Sequence, residues 1–350
     1  MLIKHRLAHW FQTLRQALRD DSVSDPALRD PARRESPDIS GQGDNPCFDR
    51  AGGGFYNGGR LIYSADGNNF TKVYGQVSNL PQRIMIRIAR ALTPDWNKRN
   101  VIIFMATFIA AISITEWIFA YRSVGYGILL SLFLSLIVYL IAVLGKLPSP
   151  YLECAESMVL IPLYILFTSS LPWFFLRQEL LLPAVYAVIL ALCFWHIYDK
   201  DISLKSLGFI GRKWAKYALI GALIGAPLGT IEYFVLKIPP AYPNFQILVL
   251  LRDLVYMLFF VGLGEELLFR AIIQVDLTRA FGWKWGLFLA SFLFMVMHLT
   301  WRSVPELFFV FSAAVILGFM WNKTGSIVGI TVLHGVGNTF LVGVWPYIFR

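Results

Sequence analysis

An all-α, polytopic bundle of transmembrane helices, with a largely disordered N-terminal head, is the fold class this 350-residue sequence predicts. Three observations predict it. The chain is 57% hydrophobic and only 15% charged, whereas an ordinary soluble protein carries about a quarter charged residues. Its charge is unevenly placed, with 15 of the 31 Lys/Arg and 10 of the 22 Asp/Glu in the first 100 residues. Beyond residue 100, apolar runs recur, each near the ~20 residues that a helix needs to cross a bilayer.

The chain divides into a polar head (1–100), accessory transmembrane helices (101–236) and a group of four closing spans (245–349). In the head, His5 to Leu18 fits a short basic helix. Arg19 to Gly59 is rich in Asp, Arg, Pro, Ser and Gly and lacks apolar periodicity, the signature of disorder. Arg60 to Val77 reads as a hairpin turning at Ala65-Asp66-Gly67-Asn68-Asn69. Near 82–94, Arg83, Arg87 and Arg90 share a face opposite Ile84, Ile88 and Leu92, as in an interfacial helix on a membrane surface. No apolar run follows Met1, so no signal peptide is expected, and the head is too acidic for a transit peptide.

The spans run roughly Val101–Ala120, Tyr126–Gly145, Ser157–Phe175, Leu180–Tyr198, Tyr217–Leu236, Ile247–Ile273, Trp285–Leu299, Pro305–Trp321 and Ile327–Phe349. The eighth is short and carries Glu306, so the count is eight or nine, with that segment a candidate re-entrant loop. Placing the head in the cytoplasm puts Lys146, Lys200, Lys205, Arg212, Lys213, Lys216, Arg279, Lys284 and Lys323 in inner loops. The outer loops then hold only Arg122, Arg177, Lys237 and Arg302, as the positive-inside rule requires of a cytoplasmic membrane, here expected to be bacterial. The net charge of +9 suits basic loops against an anionic leaflet and calls for no nucleic acid. Cys47, Cys154 and Cys193 lack metal-ligand spacing and read as unpaired structural residues.

Chemistry concentrates in the closing spans. Glu265 and Glu266 lie within an apolar run, with Arg270 four residues on. His298 lies in the next span, and His334 and Asn338 in the last. An ionisable group at the bilayer centre costs roughly 2.5–3.5 kcal/mol on the mildest scale, so such groups face a protein interior and usually serve function. The sixth and seventh spans form a hairpin near Phe281-Gly282. Glu265 and His298 both fall roughly 25 Å from that turn at about 1.5 Å per residue, hence at similar depth. Adjacent helical glutamates point about 100° apart. Glu266 is spaced to pair with Arg270, which leaves Glu265 without a partner and makes it a candidate general base in an apolar pocket. His334 and Asn338 share one helical face and offer hydrogen bonds to a tetrahedral oxyanion.

These residues resemble the CAAX-protease and bacteriocin-processing family of intramembrane proteases, the CPBP or Abi family, which includes the Ras-converting CAAX endopeptidase. Its three motifs stand here as EELLFR (Glu265 to Arg270), FMVMH (Phe294 to His298) and HGVGN (His334 to Asn338). The resemblance spans about residues 245–345. It implies hydrolysis of peptide bonds in membrane-bound or lipid-modified protein substrates, with Glu265 and His298 activating water, His334 and Asn338 stabilising the oxyanion, and Glu266 and Arg270 in support. The family is often called a metalloprotease. Zinc held by Glu265, His298 and His334 is therefore a second possibility beside a metal-free site, although the helical HExxH spacing is absent.

Two other classes compete. A transporter could use the buried charges as an ion or proton path, although no second EExxxR-like segment signals an inverted repeat. A catalytically silent member could tether a partner through the long head. Among single residues, Glu116 and Glu232 lie near span ends and read as snorkelling or structural groups. His196 reads as interfacial, and Trp283 and Trp285 flanking Lys284 as a membrane-interface anchor.

Overall fold

The computed structural model describes residues 96–144, 147–170, 176–209 and 213–349. The expected basic helix, disordered stretch, hairpin and interfacial helix of the head lie outside the described residues. Among the described residues there is no strand, and nine helices are long and apolar enough to cross a membrane. They are α1 (Lys98–Tyr121), α2 (Val124–Ala142), α3 (Ser149–Ser169), α4 (Gln178–Asp199), α5 (Trp214–Leu236), α6 (Ile247–Phe281), α7 (Trp283–Trp301), α8 (Val304–Thr324) and α9 (Ile327–Ile348). This is an integral, multi-pass membrane protein.

Three helices differ from the hydropathy reading. Helix α3 begins at Ser149 rather than Ser157, because Pro150 suits a first helical turn and needs no N–H partner there. Its polar opening turns are held by protein contacts, with Lys200 Nζ at 2.5 Å from Glu156 Oε2 and Arg279 Nη1 at 3.8 Å from Glu153 Oε2. Helix α6 continues past Ile273 to Phe281 for the same reason: Gln274 Nε2 donates to Gly318 O (3.0 Å) and Asn322 Oδ1 (2.9 Å) on α8. Hydropathy stops where the residues turn polar, but the helix does not. Helix α8 is an unbroken helix of 21 residues rather than a re-entrant loop. Glu306 sits fully buried in its first turn, where Ser303 Oγ accepts from Glu306 N at 3.4 Å, and an acid there also suits the helix dipole.

Close approaches lock the bundle around the closing spans. Helices α6 and α7 fold back on one another at Gly282, whose φ of +83° excludes most other residues at the expected turn. Gly221, Gly225 and Gly229 form a stripe on α5 that lies directly against the backbone of α9. A Cβ on each would fall 2.2, 2.2 and 2.0 Å from the carbonyl oxygens of Gly329, Leu333 and Gly337. Helix association in lipid relies on packing of this kind, since lipid tails are as apolar as the helices. Arg302, in the turn before α8, donates from Nη2 to Ala120 O at 2.6 Å and so caps the end of α1. The main core runs from Val101 on α1 to Leu333 on α9. Cys154 and Cys193 are buried free thiols within it, while Trp283 and Trp285 are exposed, with Lys284 Nζ 5.9 Å from the Trp283 ring.

Candidate active site

Helix α6 presents its two glutamates from one α-helical turn, Leu263–Glu266, set between π-helical turns at Met257–Gly262 and Leu267–Ile273. Wide turns of this type recur at functional sites. Being adjacent, the two carboxylates diverge and meet different neighbours. Glu266 is fully buried and accepts two hydrogen bonds on Oε1, from Arg270 Nη1 (3.0 Å) and from His334 Nδ1 (2.7 Å).

Arg270 is 1% exposed and spends its other contacts on neighbouring helices. Its Nη2 donates to Ala314 O on α8 at 3.3 Å, and its Cζ lies 4.3 Å from the centre of the Phe294 ring on α7. A desolvated guanidinium over an aromatic face gains about 2 kcal/mol. Phe294 also packs edge-on to Phe269 and touches both imidazoles, with centroids 4.7 Å from His298 and 6.0 Å from His334. The first residue of FMVMH is thus the floor on which the ion pair and both histidines rest.

Glu265 faces the other way. Its Oε1 accepts from the Tyr186 hydroxyl at 2.8 Å, and its Oε2 lies 3.7 Å from His334 Nε2. That Oε2 has no hydrogen-bond partner among the described residues. The expectation that pairing of Glu266 with Arg270 leaves Glu265 without a partner is corrected: α4, outside the motifs, supplies Tyr186.

The nitrogens of the two histidines are assigned by their partners. Since a carboxylate accepts only, His334 Nδ1 carries hydrogen toward Glu266 and Nε2 is left for Glu265 and the interior. His298 Nδ1 lies 2.8 Å from Phe294 O, a carbonyl acceptor, so Nδ1 donates there. His298 lies where the α-helical part of α7 gives way to its closing 3-10 turn, with φ −96° and ψ 4°, the sparsely populated bridge region where active-site residues often sit.

Glu265, His298, His334 and Asn338 all line one cavity of about 240 Å³, several times the roughly 30 Å³ share of one liquid water. Tyr186, Glu116 and Glu232 line it too. Of the two readings of Glu116 and Glu232, structural or snorkelling, the structural one fits better: both line the cavity, and Glu116 is 3% exposed. Position along a span gave no information about which face of α1 or α5 would be enclosed. His196 lies in the last turn of α4, at the expected span end, where it is buried and outside this cavity. The zinc alternative meets no matching geometry, since no three His, Cys, Asp or Glu side chains gather into an ion-holding set among the described residues.

Residues 247–340 match the family model Type II CAAX prenyl endopeptidase Rce1-like. The chain carries a Rce1-like domain. This domain runs from the start of α6 into α9 and contains every motif residue. Comparisons with curated proteins and with solved structures returned no match. Tyr186, Glu116 and the glycine stripe of α5 lie outside the Rce1-like domain. Of these, Glu116 was marked by its charge within a span and the stripe by the recurrence of glycine at every fourth residue of an apolar helix, whereas Tyr186 carried no signal.

Proposed function

We propose that the protein is an intramembrane endopeptidase that cleaves membrane-bound or lipid-modified protein substrates, with its N-terminus in the cytoplasm of a bacterial cell. One observation carries the reading: a carboxylate, two imidazoles and a carboxamide from three helices line a single cavity, with Glu265 Oε2 at 3.7 Å from His334 Nε2. The Rce1-like match over the same helices supports it, and the basic inner loops support the orientation.

The reaction uses the chain's own groups. Glu265 Oε2 removes a proton from water while His298 Nε2 accepts a hydrogen bond from the hydroxyl that remains and aims its oxygen. That oxygen attacks the scissile carbonyl carbon, and the negative charge moves to the carbonyl oxygen. The Asn338 amide and His334 donate to this oxyanion, His334 acting as an imidazolium whose Nδ1–H is held by Glu266 and whose Nε2–H faces the oxyanion. Glu265 then gives its proton to the departing nitrogen as the C–N bond breaks, leaving an amine and a carboxylic acid that passes its remaining proton to His298 Nε2. Donors fixed in place act without reorganising at the moment of reaction.

The test uses purified protein in proteoliposomes and a panel of membrane-anchored peptides, with and without a C-terminal isoprenyl cysteine. Glu265→Gln and His298→Ala should each reduce cleavage by about 10²–10⁴-fold, the usual share of general-base catalysis. Chelators should leave the wild-type rate unchanged. Normal cleavage by Glu265→Gln would overturn the assignment, and ion flux without any cleavage would favour a transporter.

A further inference from the structure

Outside the Rce1-like domain, one polar side chain touches the proposed base directly. Tyr186 lies near the middle of α4, and its hydroxyl donates to Glu265 Oε1 at 2.8 Å. Its ring lines the same cavity and packs on the small cluster of Leu182, Met257 and Val261. Met257 and Val261 belong to the π-helical turn that leads into the Glu265 turn. One tyrosine therefore holds the backbone approach to Glu265 with its ring and the carboxylate with its hydroxyl.

The terminal torsion of a glutamate is broad and roughly two-fold, so an untethered carboxylate rotates and presents either oxygen in many orientations. A hydrogen bond to Oε1 removes that freedom. Once Oε1 is taken, Oε2 is the oxygen directed toward His334 Nε2, 3.7 Å away, with no hydrogen-bond partner among the described residues. The carboxylate plane is then set before any water or substrate arrives.

We infer that Tyr186 is the positioning residue for the proposed base, fixing the Glu265 carboxylate so that Oε2 alone is offered to the hydrolytic water. This inference rests on the assignment of Glu265 as base. It also gives α4 a part in the reaction, so that the Rce1-like domain lacks one component of its own site.

Tyr186→Phe keeps the ring and its packing and removes only the hydroxyl. Its kcat should fall about 10–100-fold, the scale of a lost hydrogen bond to a charged group, while KM stays within about twofold and the melting temperature is preserved. Tyr186→Phe combined with Glu265→Gln should be no slower than Glu265→Gln alone, because the hydroxyl then has no base to orient. Full kcat in Tyr186→Phe beside an inactive Glu265→Gln overturns the inference and leaves the base standing. Full activity in Glu265→Gln overturns the base and the inference with it. An equal loss from Tyr186→Phe in both backgrounds, or a KM rise that accounts for the loss, assigns Tyr186 to substrate binding instead and also overturns the inference. If Tyr186→Phe melts early, Leu182→Ala is measured at matched stability. A drop in kcat as large as that of Tyr186→Phe would then reduce the effect to packing and refute positioning.

Discussion

Gly225→Ala should silence the enzyme from a helix that contributes none of the four proposed catalytic groups. The added methyl would sit 2.2 Å from Leu333 O and 3.1 Å from Leu333 Cα. Ordinary contact begins near 3.4 Å, so α5 and α9 must part by about 1.2 Å at this level. Leu333 immediately precedes His334, whose Nδ1 is 2.7 Å from Glu266 Oε1. A displacement of that size carries the bond beyond hydrogen-bonding range and draws Nε2 away from Glu265. Misplacement by about 1 Å costs on the order of 10²-fold in rate, and overpacking of a close interface costs about 1–3 kcal/mol of stability. The assay is single-turnover cleavage of a membrane-anchored peptide together with a thermal melt of the same preparation. Gly125→Ala on α2 is the control, since its methyl meets nothing closer than Ser123 Oγ at 3.9 Å. A Gly225→Ala protein with a rate within twofold of wild type and an unchanged melt would refute the claim that the glycine stripe sets the position of α9.

Arg270→Met should be strongly damaging although Arg270 does not line the cavity, because it strands a fully buried Glu266. Loss of one partner of a buried pair costs about 3–5 kcal/mol, and the double change Arg270→Met with Glu266→Gln should melt higher than Arg270→Met alone. A melt no higher for the double variant would show that the pair is not the source of the loss. Asn338→Ala should lower kcat by about 10²–10³-fold, as removal of one oxyanion donor does elsewhere, with little change in the melt because the side chain faces a cavity. A pure KM effect would move Asn338 from the oxyanion to substrate binding.

Particular residues mark where the sequence could be read and where it could not. The Gly282 turn and the Glu266–Arg270 pair follow from apolar run length and i,i+4 spacing, both local properties of a helix. The extension of α6 to Phe281 does not, because Gln274 is tolerated only through acceptors on α8 that lie more than forty residues away. Phe294 illustrates the middle ground. It stood in a motif, yet its work under Arg270 and against both imidazoles depends on three helices meeting.

The sequence alone determined that the chain is a membrane bundle and that its charged chemistry lies in the closing spans. Burial of apolar length and the cost of an embedded charge act residue by residue, whatever the rest of the fold does. Only the tertiary structure decided that Tyr186 grips Glu265, that Glu116 and Glu232 turn inward, and that three glycines on α5 seat α9. Hydropathy is nearly uniform around these helices, so it does not tell which face meets lipid and which meets another helix. That choice is made by close packing between distant segments, and it is what brings the proposed base, its tyrosine and the two histidines to one cavity.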